Sequence, residues 1–218
     1  SEHFYSDFME WINFLFDLGY ITNWQILNST DYGIPQNRER VFAVSIRKDV
    51  CTGFILFPEP KSLKLKLRDL LEPTVPDRYY LKSHNIDYVI DRFHRQDGTG
   101  WERRLKTVKL NPDIAYTLAV RSASGHQRVS TLIMDGYNHE IERDFVRDLA
   151  EKGNYPRIRR LTALECWRLQ GFTDEQYQRA AQVVSESQLY KQAGNAVTVD
   201  VVYYLFQTIN DMYPLEEN

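Results

Sequence analysis

The sequence predicts an α/β chain in which one edge of an α/β sheet joins a smaller, mainly β region, with a terminal helix closing the order. Three observations carry this expectation. Residues before Pro58 read as helix, strand, loop, strand, which is sheet-and-helix order with about one βα unit, too few for a complete doubly wound sheet. Between Pro58 and Arg157, prolines and short β-prone runs alternate with turns, as in a small β unit. From Arg157 onward the periodicity becomes helical.

In the first part, Ser6 can cap a helix carrying Phe8, Met9, Ile12, Leu15 and Phe16 at helical spacing, with Gly19 as its stop. Glu2, Asp7, Glu10 and Asp17 surround that stripe and read as a solvated outer face. Tyr20 to Leu27 reads as a strand, and Asn28 to Pro35 as a loop. Gly33 gives that loop backbone freedom, while Pro35 pushes Ile34 extended. Val41 to Ile46 is β-branched and aromatic and reads as a buried strand. Gln36, Arg38 and Arg40 share one side of an extended chain, and Phe42, Val44 and Ile46 continue that side. A face that turns from cationic to apolar suits a strand flooring a polar pocket; an edge strand with charged guards is the open alternative.

In the middle part, Pro58, Pro60, Pro73 and Pro76 punctuate a stretch with Lys61, Lys64 and Lys66. Candidate strands follow at Arg78 to Leu81, Tyr88 to Phe93, Thr107 to Leu110, Ala115 to Val120 and Ser130 to Met134. Two Gly-bearing loops, His94 to Trp101 and Arg121 to Arg128, hold Arg, Gln, Ser, Thr and His side chains that can reach phosphates and base edges. Arg92, Arg95, Arg103, Arg104, Lys106 and Lys109 make the first locally basic. Ordinary solvated hairpin loops account for the same residues, since surface loops are polar anyway.

In the last part, Thr162 and Glu165 form a capping box with Leu161 and Cys166 placed as a hydrophobic staple, and that short helix ends at Gly171. Thr173 and Gln176 repeat the box. A final helix would set Val199, Val202, Leu205, Phe206 and Ile209 on one stripe. Asn195 and the amides after it would stand at the start of that helix, where free N–H groups can meet a polar ligand.

The composition excludes several classes. The net charge is -3, so any nucleic-acid surface must be local. Cys51 and Cys166, far apart, exclude a disulfide framework and a Cys-rich zinc site and suit a reducing cytoplasm; no metal is expected. No apolar run reaches membrane-spanning length, and the first residues do not read as a signal peptide.

Three separated stretches, in order, and one short segment between the first two resemble blocks of the DNA (cytosine-5)-methyltransferases. Tyr32 to Phe42 resembles the Gln-x-Arg-x-Arg block. Arg160 to Phe172 resembles the Arg-x-Leu-Thr-x-x-Glu block with its Gln-Gly-Phe ending. Gln192 to Val197 resembles the Gly-Asn-Ala/Ser-Val block, and Ile114 to Leu118 resembles the Thr-Leu segment of the variable region. The family's Phe-x-Gly-x-Gly, Pro-Cys and Glu-Asn-Val blocks do not occur in this sequence.

The resemblance implies the C-terminal part of a Rossmann-like S-adenosylmethionine-dependent methyltransferase domain (1–57), a small, mainly β target-recognition domain (58–189) and a final helix returning to the catalytic domain (190–218). It implies methyl transfer from S-adenosyl-L-methionine to carbon 5 of a flipped-out cytosine in a specific duplex site, in a bacterial or phage restriction-modification context. The nucleophilic cysteine and most of the cofactor site would lie on an N-terminal catalytic portion, joined in cis or supplied in trans. Arg40, Arg38 and Gln36 would line the base pocket, with Arg40 on the exocyclic oxygen. Asn195 and Ala196 would touch the cofactor, and Arg95, Thr99, Thr117 and Arg121 the DNA. A non-catalytic sequence-specific DNA-binding protein on the same fold and an RNA cytosine methylase are the rival readings.

Overall fold

The computed structural model describes residues 2–51, 53–86, 108–118 and 130–214. The expected strand Tyr88 to Phe93, both Gly-bearing loops, and with them Arg95, Thr99 and Arg121, lie outside the described residues.

Helix α1 (Glu2–Asp17) leads into β1 (Tyr20–Asn28), and β3 (Glu39–Arg47) returns beside it as an antiparallel partner from Tyr20↔Arg47 to Asn28↔Glu39. Ser6 therefore lies inside the helix and not at its cap. Gly19, at φ +90°, makes the turn out. Phe8, Met9, Ile12 and Leu15 are half-buried, and the Phe8 ring meets Trp24 of β1 edge-on at 5.5 Å. The outer face is not merely acidic, for Phe4, Tyr5, Trp11, Phe14 and Phe16 are exposed there.

The strand expected to be buried is only half covered. Phe42, Val44 and Ile46 are half-buried, but Val41 is 54% exposed and Ile26 on β1 is 55% exposed. The reason is topological: β1 and β3 form a two-stranded sheet among the described residues. A run suited to burial on both faces has one partner strand and partial helix cover.

The middle of the chain is organised by a second sheet of β4 (Val108–Leu110), β6 (Ser130–Met134) and β7 (Ile158–Arg160), in the order β4-β6-β7. Pairing is parallel between β4 and β6 and antiparallel between β6 and β7. The centre of β6 is buried on both faces. Leu132 and Met134 pack with Ile158 and with Val146 of α2 (Arg143–Glu151), while Ile133 points to the main core with Leu161, Trp167 and Leu189. That double burial explains the unbroken apolar run Leu132-Ile133-Met134.

The segment Arg78 to Leu81 is not a strand. It begins in a 3-10 turn, Asp77–Tyr79, and keeps one isolated bridge, Tyr80↔Arg159. Pro76, with φ -58°, fixes the chain ahead of that turn and accepts from the Tyr79 N–H. The region 58–189 is mixed α and β among the described residues, because short strands there pack under helices.

Helices α3 (Ala163–Arg168), α4 (Asp174–Ala181), α5 (Glu186–Asn195) and α6 (Val199–Met212) follow. Both expected capping boxes form, Thr162 with Glu165 and Thr173 with Gln176. The stripe of α6 is rotated from the expected one. Val201 and Leu205 are buried, whereas Phe206 is 65% exposed. The helix turns that way because Val201 and Tyr204 pack on Leu27 and Tyr32.

Candidate functional site: a junction of four segments

A short loop sets the approach to Gln36. The Ser29–Tyr32 turn ends at Gly33 with φ +93°, where a side chain would be strained. Tyr32 Oη donates to Pro58 O at 2.8 Å. Asn28 fastens both ends of the loop: its Oδ1 accepts from Arg38 N at 3.0 Å and Thr30 N at 3.3 Å, and its Nδ2 donates to Asn37 Oδ1 at 2.8 Å.

Strand β2 (Gln36–Asn37) then pairs in parallel with β5 (Ala115–Tyr116). The side chains tighten this short pairing. Ala115 N donates to Pro35 O at 2.8 Å, and Thr117 Oγ1 donates to Asn37 O at 2.5 Å. Gln36, fully buried, donates through Nε2 to Leu169 O at 2.6 Å and accepts from Leu118 N at 3.1 Å. Arg38, 4% exposed, donates to the carbonyls of Leu118 (3.3 Å), Gly194 (3.1 Å) and Ala196 (2.7 Å). Its Nε is buried without a partner among the described residues. Burial first, and the Arg40 charge second, pull the Arg38 pKa down to about 10, so it stays charged at neutral pH.

Gln36, Arg38 and Arg40, expected to share one pocket, differ in their surroundings. Gln36 and both terminal nitrogens of Arg38 are engaged by protein carbonyls and amides, while Arg38 Nε has no partner among the described residues. Arg40 is exposed; it donates to Glu39 O at 2.6 Å and is otherwise uncommitted among the described residues. The position of Asn195 is corrected. It ends α5 and is exposed, while Thr198 precedes α6. Ala196, half-buried, gives its carbonyl to Arg38.

Residues not singled out beforehand complete the junction. Gln170, buried, donates through Nε2 to Gln36 Oε1 at 3.4 Å and accepts from Thr198 Oγ1 at 3.3 Å; Thr198 and Ser29 hydroxyls lie 2.7 Å apart. Gln170 O accepts from Val199 N at 2.9 Å, fastening α6 to the end of α3. Gly171, at φ +83°, lets the chain pass beside α6: an added Cβ would stand 2.5 Å from Asp200 Oδ2 and 3.2 Å from Val199 Cβ. Gly171→Ala is expected to cost about 2 kcal/mol from the left-handed backbone and the close approach. An unchanged urea midpoint would show that α6 yields there freely.

The second block is an organiser. Its arginine partner for Glu165 is Arg159, not Arg160: Nη1 and Nη2 of Arg159 donate to Oε2 and Oε1 of Glu165, both at 2.9 Å. The spacing Arg-x-Leu-Thr read from Arg159 carries that signal. Glu165 also accepts from Thr162 N at 2.8 Å and Glu72 N at 2.9 Å.

Cys166 is buried, and desolvation pushes its thiol well up. Cys51 is half-buried, with Sγ 3.2 Å from Gly53 O and 3.3 Å from Tyr213 Oη. In the native chain a thiol reagent should label Cys51 and reach Cys166 only after unfolding; native labelling of Cys166, read by mass spectrometry, would contradict its packing. Among the described residues no His/Cys/Asp/Glu group could hold a metal, and no helix is long and apolar enough to cross a membrane.

The fold is consistent with the α/β fold of methyltransferases. It superposes on an Entamoeba histolytica methyltransferase, EhMeth, with TM-score 0.68 at 19% identity, covering 94% of this chain and 58% of that one. It superposes equally on the S. pombe Dnmt2 methyltransferase, with TM-score 0.68 at 19% identity over 92% of this chain and 59% of that one. The family is more specific. The family model described as C-5 cytosine-specific DNA methylase matches residues 1–211, and the chain belongs to that family. Among its relatives, the type II methyltransferase M2.ScrFI of Lactococcus lactis subsp. cremoris is 31% identical over 206 residues, 93% of this chain and 49% of that protein. M.HpaII of Haemophilus parainfluenzae is 34% identical over 194 residues, 85% of this chain and 50% of that protein. The chain thus spans about half the length of these relatives.

Proposed function

We propose that this chain forms the recognition and base-holding portion of a DNA (cytosine-5)-methyltransferase, completed by a polypeptide carrying the Pro-Cys nucleophile and most of the cofactor site. One observation carries the reading. The four segments that resemble the family meet at Gln36 and Arg38, which bind Leu118, Leu169, Gly194 and Ala196 with hydrogen bonds, and Arg40 leaves this junction exposed, with its guanidinium bonded only to the adjacent Glu39 carbonyl among the described residues.

The chemistry needs such a group. A thiolate adding to carbon 6 of cytosine drives charge onto the ring, and a preorganised donor on the exocyclic oxygen stabilises it as it develops. Arginine suits that task because it is always charged and donates in fixed directions. The target base must first leave the duplex. Residues 58–189 would read the flanking sequence, with Arg95, Thr99 and Arg121 on the DNA and Thr117 holding the backbone beside the target.

Asn195 and Ala196 fit the rim of a cofactor cleft: Asn195 is exposed at the end of α5 and its amide can donate and accept. When bound, S-adenosyl-L-methionine supplies the methyl group. The completing portion would cover the apolar surface left by Ile26, Val41, Phe14, Tyr203 and Phe206, all exposed; uncovered apolar area of this kind marks an interaction face.

The test is to add the N-terminal half of a relative in trans and follow labelled methyl transfer to a library of duplexes, with transfer RNA as a parallel substrate. Transfer to duplexes sharing one cytosine site supports the reading. Duplex binding without transfer favours the non-catalytic alternative, and transfer to transfer RNA alone favours the RNA methylase.

A further inference from the structure

We infer that Gln36 and Arg38 are positioning residues that lock the recognition region to the strand bearing Arg40, so that sequence reading and base holding move as one body; this rests on the function proposed above. Leu118 is gripped at both of its backbone polar groups. The Leu118 N–H goes to Gln36 Oε1 and the Leu118 carbonyl receives Arg38 Nη1. Thr117 Oγ1 and Ala115 N, on the same short segment, bond to the backbones of Asn37 and Pro35. Residues 115–118 are zipped along 35–38 by both main chain and side chains, two residues before Arg40 and directly ahead in sequence of Arg121.

The second guanidinium nitrogen of Arg38 extends the lock, reaching Gly194 and Ala196 at the end of α5. A buried arginine bound to three carbonyls, with no carboxylate among those partners, costs solvation that an apolar side chain of similar size would not. Such an arrangement does little for stability in its own right; its distinctive property is orientation. A planar fork fixes the directions to Leu118 and to Ala196 at once, whereas lysine, a point charge on a flexible stem, holds neither direction.

Two readouts on the full chain test this. In the first, amide hydrogen exchange is followed in wild type, Arg38→Lys and the milder Thr117→Val. Exchange at Leu118 should quicken at least tenfold in both variants while Ile133 and Trp167 keep their protection. Unchanged exchange at Leu118, or equal quickening of all three amides, overturns the inference. In the second, the chain is equilibrated with a pool of randomised duplexes and the bound fraction is sequenced. Arg38→Lys should keep affinity for the pool within about threefold but flatten the enriched motif. A wild-type motif that survives intact in Arg38→Lys overturns the coupling. A wild-type chain that binds no duplex on its own leaves the proposed function to the complementation test above, and the lock is then decided by exchange alone.

Discussion

Glu165→Ala is expected to destabilise the chain by about 3–5 kcal/mol, the scale for removing one partner of a buried ion pair. Glu165 is fully buried and Arg159 is 3% exposed. The truncation leaves the buried Arg159 charge without its carboxylate, with only the Arg160 carbonyl, 3.2 Å from Nη1, still accepting from the fork, and Asp135, 4.0 Å from Nε and partly exposed, is too distant to take over. It also strips acceptors from the Thr162 and Glu72 amides and opens half of the capping box. The urea midpoint measures the loss, and a shift corresponding to under about 1 kcal/mol would place the pair among weak surface bridges. The double variant Arg159→Met with Glu165→Leu should recover a large part of it, since no charge is then left buried. Full recovery is not expected, because the two amides still lack an acceptor.

Sequence reasoning reached local features whose causes are local. Both capping boxes need only a threonine and a side chain three residues on, and both form. Strand β1 and the Ser130–Met134 strand follow from apolar runs bounded by turns. What failed depends on partners that sequence spacing does not contain. Val41 to Ile46 has the composition of a buried strand, yet its exposure is set by which strands and helices lie beside it. The α6 stripe turned toward Val201 because Tyr32 and Leu27 sit where they do. Asn195 precedes a helix in sequence, but the chain uses Asn195 to finish α5 and places three residues before α6 begins.

The polar junction was half legible. Alternation correctly put Gln36 and Arg38 on one side of the chain, and the apolar continuation at Phe42 signalled that this side faces inward. Alternation could not say whether inward meant an open pocket or a set of waiting carbonyls. Leu118, Leu169, Gly194 and Ala196 contribute backbone atoms, which carry no side-chain signature. Gln170 was visible only as part of the Gln-Gly-Phe ending, and its bonds to Gln36 and Thr198 depend on the tertiary fold.

Arg40→Ala tests the chemical half of the function, and the contrast with Arg38 makes it informative. In the complemented enzyme it should remove about 2–4 kcal/mol of transition-state stabilisation, the scale of one preorganised donor at a developing charge. Single-turnover methyl transfer at saturating duplex measures that loss, because a donor engaged only as charge develops lowers the rate of the step more than it weakens binding. Stability should hardly move, within about 0.5 kcal/mol, since Arg40 is exposed and its bond is to the neighbouring Glu39 carbonyl. Arg40→Lys keeps the charge but not the fork and should restore only part of the rate. A variant that methylates at the wild-type rate would remove Arg40 from the base pocket. Loss of rate accompanied by an equal loss of folding stability would assign Arg40 to structure, against the exposed position it holds.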